Sequence, residues 1–112
     1  MQASTAPSSI NRPPIAIIDY WPKNITIGKV VLFDAFKSYD PDVYIVSYNW
    51  KINGVSISTQ RSFSCSFSAG DYEIELIVTD NKGDSDSQKL LLYVGRNIRT
   101  TVTRTITKQV PV

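Results

Sequence analysis

The sequence predicts an all-β protein, a two-sheet sandwich of about seven strands, on three observations. Ile, Val and Thr number 13, 10 and 9 among 112 residues, against 5 Leu and 5 Ala. These β-branched side chains are stiff at χ1, which suits a pleated sheet and costs rotamer freedom on a helix. Apolar and polar residues alternate through several short runs, the period at which side chains on a strand share one face. Turn signals separate the runs every ~8–12 residues, the spacing of a sandwich.

Residues 1–12 are rich in Ser, Ala, Pro and Gln without a period and read as a flexible lead-in. Pro13-Pro14 stiffens the chain before a first apolar run, Ile15-Ala-Ile-Ile18. Asp19 to Asn24 reads as a loop, and Gly28 introduces a second strand, Lys29 to Phe33. In the third strand Tyr44, Val46, Tyr48, Trp50 and Ile52 share one parity, which makes that aromatic face the expected core side. Asn53-Gly54 between apolar neighbours is a strong hairpin signal, because both central residues of a type I′ turn need positive φ. Val55-Ser-Ile57 is the return strand. Ser62 to Ser68 alternates strictly, with Phe63, Cys65 and Phe67 on one face, so Cys65 is expected to be buried. After Gly70, Tyr72, Ile74, Leu76 and Val78 alternate with acids, and Asn81-Lys-Gly83 turns the chain into Ser87–Val94.

Beyond Gly95 the pattern changes. Ile98, Val102, Ile106 and Val110 recur every fourth residue, so helical periodicity competes with alternation, and five threonines tip the segment toward an extended strand. The net charge of +2 divides unevenly: residues 1–95 carry 8 Lys/Arg and 10 Asp/Glu, a balance of −2, and residues 96–112 carry Arg96, Arg99, Arg104 and Lys108 with no acid, a balance of +4. The organisation is thus a lead-in over 1–12, a sandwich over 13–95 and a basic Thr-rich tail over 96–112.

Histidine is absent and there is one cysteine. The commonest acid–base side chain, most zinc sites and an internal disulfide are thereby excluded, which argues against an enzyme. No apolar run reaches the ~18 residues of a membrane span, and the first residues lack the apolar stretch of a signal peptide, so the chain reads as soluble and already mature or excised. The tail has no aromatic residue on which a base could stack, which disfavours nucleic acid as a partner.

Phe33-Asp-Ala-Phe-Lys-Ser-Tyr-Asp-Pro-Asp42, then Ile45-Val-Ser-Tyr-Asn-Trp50, then Gly70-Asp-Tyr72 running into Ile77-Val-Thr-Asp80 with Gly83 and Ser85, resemble the polycystic kidney disease (PKD) domain. The likeness covers about residues 13–94 in order and spacing. It departs at Asn53-Gly54, where many members have a Gly-Asp-Gly turn, and at Val43, where a glycine is usual. The resemblance implies an immunoglobulin-like sandwich found in extracellular proteins, where such domains serve as spacers, adhesion units or accessory modules. It leaves the partner undetermined.

Asp40-Pro-Asp42 puts two carboxylates on one turn, and Asp80 closes a strand that this fold brings toward the same end; oxygen ligands converging from loops are what calcium requires. In PKD domains of bacterial collagenases the matching positions bind calcium, with an Asn at the domain entrance that corresponds to Asn11. No cofactor is required, and calcium is the one candidate. The bland alternative has Asp40 capping a turn, Asp42 solvated and Asp80 accepting backbone N–H groups. Asn24-Ile-Thr26 is an N-glycosylation sequon on an expected loop. Tyr20, Trp21 and Tyr39 lie in or near loops, where an aromatic can stack on sugar, anchor an interface or cover the core end. Trp50 and Tyr48 are core by parity, and Cys65 reads as a small hydrophobe with nothing to activate it. The tail reads as a linker, or as a strand donated to the sheet edge of a neighbouring copy with Ile98, Val102, Ile106 and Val110 as plugs.

The function these readings support is a non-enzymatic module at the cell surface. It contacts protein partners or neighbouring copies and is able to assemble head to tail through the tail. The rival is a carbohydrate-binding accessory module of a secreted hydrolase or protease, for which Trp21 and Tyr20 should stand exposed on a ligand-sized face.

Overall fold

The computed structural model describes residues 11–95. The residues before and after, including the tail positions Ile98, Val102, Ile106 and Val110, lie outside the described residues. Among the described residues there are seven strands and no helix: β1 (Asp19–Trp21), β2 (Val31–Asp34), β3 (Ile45–Ile52), β4 (Val55–Ser58), β5 (Ser62–Cys65), β6 (Gly70–Asp80) and β7 (Ser85–Val94). One sheet has the order β1-β2-β5 and the other β4-β3-β6-β7, all neighbours antiparallel. The inward residues of the two sheets meet in one core built on aromatic rings.

Phe33 is the centre of that core. Its ring lies 5.1 Å from Phe63, 6.0 Å from Trp50, 6.1 Å from Tyr20 and 6.1 Å from Phe67, centroid to centroid. Aromatic pairs at such separations gain beyond their area of burial, and Trp50, in contact with both Phe33 and Phe63, joins the larger sheet to the three-stranded one. Trp50 is fully buried, and its indole N–H donates to the Gln60 carbonyl at 3.0 Å, which satisfies the polar atom that burial strands. Val31, Ala35, Ile74, Leu76, Val78, Leu92 and Val94 complete the buried layer.

The hairpin between β3 and β4 has the geometry that Asn-Gly demands, with φ of +51° at Asn53 and +83° at Gly54. The Asn53 side chain also accepts the Glu73 N–H at 2.8 Å, tying the turn to β6.

Four expectations are corrected. Tyr44 and Val46 do not face the core; they are exposed, whereas Ile45 packs against it. The cause is a bulge: Ile45 pairs with Asp80 and Ser47 with Thr79, so two steps along β3 match one along β6 and the inward parity changes from odd to even before Tyr48. Residues 15–18 are not a regular strand. Ile15 forms a single antiparallel bridge with Tyr39, and regular pairing begins at Asp19–Trp21, within the expected loop. Tyr20 is therefore an inward-facing, half-buried residue stacked on Phe33 rather than a loop aromatic. Cys65 is half-buried, because β5 is the edge of the three-stranded sheet and covers it from one side only. Its inward parity is as expected, and burial pushes its thiol pKa up, away from the reactive thiolate.

Candidate functional site

The chain enters and leaves the sandwich at opposite ends of β7. At the entrance Asn11 donates from Nδ2 to Asp80 Oδ2 at 2.8 Å and to Asp84 Oδ2 at 2.6 Å. Arg12 grips Asp42 three ways: its backbone N–H reaches Oδ2 at 2.7 Å, its Nη2 reaches Oδ1 at 2.6 Å and its Nε reaches Oδ1 at 3.1 Å. The following residues run parallel to β7 and are held by side chains from it. Asp86 Oδ2 accepts the Ala16 N–H at 2.8 Å and Gln88 Oε1 accepts the Ile18 N–H at 2.6 Å. A carboxylate and an amide thus replace a main-chain ladder along this edge.

Most carboxylate oxygens of the acidic pole are satisfied from within. Asp40 Oδ1 accepts the N–H groups of Asp42 and Val43, both at 2.8 Å, the bond pattern of an Asx turn. Asp80 is buried, and its Oδ1 accepts the N–H groups of Lys82 at 2.9 Å and Asp84 at 3.0 Å. Burial pushes the Asp80 pKa up, but the Asn11 amide, the neighbouring Asp40 carboxyl and the two backbone donors outweigh it, and the net direction is down. Asp42 is also held below the usual carboxylate range, first by the side-chain hydrogen bonds of Arg12 and then by its backbone N–H. The same pair raises the guanidinium pKa of Arg12.

Of the four residues expected to bind calcium, Asn11, Asp40 and Asp80 come together and Asp42 is turned onto Arg12. Among the described residues no group of three or more His, Cys, Asp or Glu side chains is placed to hold a metal ion. One carboxylate atom of this cluster is left over: Asp40 Oδ2 is buried and accepts no hydrogen bond. Beside it stand the Asp80 carboxylate and the Asn11 amide, whose Nδ2 faces Asp80 and Asp84.

At the exit Gly95 has φ of +76°, and a Cβ there would lie 2.8 Å from Ile27 Cδ1 and 3.1 Å from Ala69 Cβ. The positive φ favours glycine, and any side chain here would also have to displace Ile27. The loop that provides Ile27 is itself tied back, since the Gly28 N–H donates to the Phe67 carbonyl at 2.9 Å. Asn24 and Thr26 of the sequon are exposed on this loop.

A model of the PKD domain matches residues 11–93. The chain belongs to the PKD domain family. A relative, the pre-pro-metalloprotease PrtV of Vibrio cholerae, is 41% identical over 58 residues, which is 51% of this chain and 6% of that protein. The solved PKD1 domain of that V. cholerae metalloprotease superposes with a TM-score of 0.62 at 33% identity, over 74% of this chain and 98% of that one. The dyslexia-associated protein KIAA0319 of Homo sapiens is 31% identical over 97 residues, 80% of this chain and 9% of that protein. A structure described as a carbohydrate-binding module of the β-sandwich superfamily matches with a TM-score of 0.70 at 30% identity, covering 80% of this chain and 37% of that one. The chain therefore spans less than a tenth of the length of these two full-length relatives.

In this PKD domain, sequence reasoning found the turn aspartates and missed Arg12, Asp84, Asp86 and Gln88. Their partners lie 30 to 73 residues away along the chain. The available signal was the polar row Asp84, Asp86 and Gln88 at period two at the start of β7, on the parity that ought to face the core. Those side chains point toward the other sheet's side of the edge because the entering segment, not the apolar core, meets them there.

Proposed function

We propose that this PKD domain is a non-catalytic spacer and contact module of a larger extracellular protein, held stiff between its neighbours. One observation carries the reading: both ends are anchored, at opposite ends of β7, whose ten residues separate them by ~30 Å. Asn11 and Arg12 fix the entrance with charge-assisted and amide hydrogen bonds, and Val94, fully buried and paired with Gly70, fixes the exit. A domain tied at both poles passes on orientation as well as distance to what adjoins it. The absence of histidine from the sequence and the raised pKa of its one thiol support a role without chemistry. The kinship with a domain of a pre-pro-metalloprotease supports an accessory place beside another activity. Backbone 15N relaxation tests the reading: residues 11–18 and Gly95 should relax with the strands, and fast motion at either end would remove it.

The buried, unpartnered Asp40 Oδ2 supports calcium as a further fastening of the entrance. Asn11, Asp40 and Asp80 would hold the ion, with Asp42 released from Arg12, and the ion would neutralise carboxylates that otherwise repel. Melting temperature should then rise in millimolar calcium relative to chelator, and the rise should vanish in Asp40→Asn. An unchanged melting temperature excludes the metal. The exposed Asn24 supports N-glycosylation in a secretory host, read as a mass loss on glycosidase treatment. The opposite charges of the body and the tail support head-to-tail contact between copies, and removing residues 96–112 should then abolish any polymer formed by the full chain.

A further inference from the structure

The four-stranded sheet has an open edge at β4. Trp50 of β3 packs on Phe63 of β5 with ring centres 5.2 Å apart, so β5, the last strand of the smaller sheet, lies over β3 and leaves β4 beyond it. Val55 pairs with Ile52 on the core side, and Ile57 is the residue left over by the register shift between Trp50 and Lys51; they are 64% and 44% exposed, because the smaller sheet ends before reaching them. Val55 closes the two-residue turn against Ile52, so its main-chain groups point to β3, and alternation turns the N–H and C=O of Ser56 outward. Sheet edges are commonly blunted by charge, proline or a covering segment. β4 has neither charge nor proline, and among the described residues no segment covers it. The other edges differ. β7 is covered by the entering segment through Asp86 and Gln88. β1 has three residues and stops at Pro22, with Trp21 exposed. β5 follows Arg61, a cation whose side chain is largely exposed.

We propose that the β4 edge takes, as a fifth strand, the basic Thr-rich tail of a neighbouring copy. This rests on the head-to-tail contact proposed above and names its acceptor. β4 runs from the exit end toward the entrance, since Val55 pairs with Ile52, which in turn pairs with Ile74 near the start of β6. A copy stacked exit to entrance sends its tail along β4 in the opposite sense, which makes an antiparallel pair. The domain's own tail would have to cross the sheet from β7, three strand spacings or ~14 Å, and would then lie parallel to β4, the weaker pairing. From the level of Ile45 at the entrance to Ser58, which pairs with Trp50, is ~17 Å along β3, and about five extended residues after Gly95 span it. Residues 101–107 then reach β4. Alternation sets Val102 and Ile106 on the side of Val55 and threonines 101, 103, 105 and 107 on the side of Ser56, and both kinds of neighbour are favourable across strands. β4 carries no cation to repel Arg99, Arg104 or Lys108, and the body at −2 attracts the tail at +4. The contact is heterologous, so each assembly keeps a free edge at one end and a free tail at the other and grows as a chain of domains.

The test is light scattering on the full chain at rising concentration, to ~1 mM, beside an acceptor variant and a donor variant. The wild type should form dimers and longer chains. Ser56→Pro removes an outward N–H and spares the ladder with β3, and Thr103→Pro interrupts the tail; each should weaken self-association about tenfold or more. Mixed, the two variants should form a dimer of one copy of each and nothing longer, because one still offers a tail and the other an edge. Ile57→Lys puts a charge on the same edge and serves as a second acceptor variant, and circular dichroism of each variant separates loss of assembly from loss of fold. A monomeric wild type overturns the proposal together with the contact between copies. Polymers that persist in the folded acceptor variants overturn the proposal alone and leave that contact to another surface. A dimer that survives Thr103→Pro but not Ser56→Pro also overturns it, since two β4 edges would then be pairing with each other.

Discussion

Trp50 and Trp21 show how burial decides what one residue type contributes to stability. Trp50 is fully buried between Phe33 and Phe63, with its N–H satisfied by Gln60. Trp50→Ala should cost ~3–5 kcal/mol in urea denaturation, because it removes a large buried ring and leaves the Gln60 carbonyl to find water. Trp21→Ala should cost little by the same measurement. Parity in the sequence identified Trp50 as core, but it placed Trp21 in a loop, since three residues of strand between a Pro-rich segment and Pro22 offer no alternation to read. At the acidic pole the Asp42 and Asp80 pKa values lie below the ordinary carboxylate value in the folded state. Their contribution is complete above about pH 5 and is lost as pH falls further, because the unfolded chain takes up protons first. Melting temperature should drop between pH 5 and pH 3, and Asp42→Asn should lessen the drop; a flat profile would contradict this account of the pole.

At the scale of elements, the hairpin and the alternating cores of β3 and β6 were legible because turn chemistry and period two are local. The bulge at Val46 was not, since its cause lies in the register with β6 and leaves the alternation in the sequence intact. The entering segment was legible as apolar and extended but not as a strand fastened by Asp86 and Gln88, whose bonds span 70 residues. Replacing both with alanine strands the Ala16 and Ile18 N–H groups, for a loss of roughly 1 kcal/mol each. Hydrogen exchange should accelerate at those two amides while the centre of β6 stays protected; unchanged rates would show that the segment is held by something else. Gly95→Ala meets both an unfavourable φ and the Ile27 side chain, and should cost roughly 1–2 kcal/mol in the same denaturation experiment.

For the molecule as a whole, the sequence carried the family through its Phe-Asp-Ala and Asp-Pro-Asp segments, while the anchoring of both ends became visible only when distant polar residues were brought together. The entrance segment runs parallel to β7, so a pull on the two chain ends shears their contact along its length instead of opening it bond by bond. Stiffness between the poles is the central claim, and force spectroscopy through the two ends tests it most directly. The account predicts a single all-or-none unfolding event, at a force lowered more by the Asp86→Ala/Gln88→Ala variant than by a core variant of equal thermodynamic loss such as one at Ile74. Gradual extension at low force, or the same unfolding force in both variants, would contradict it.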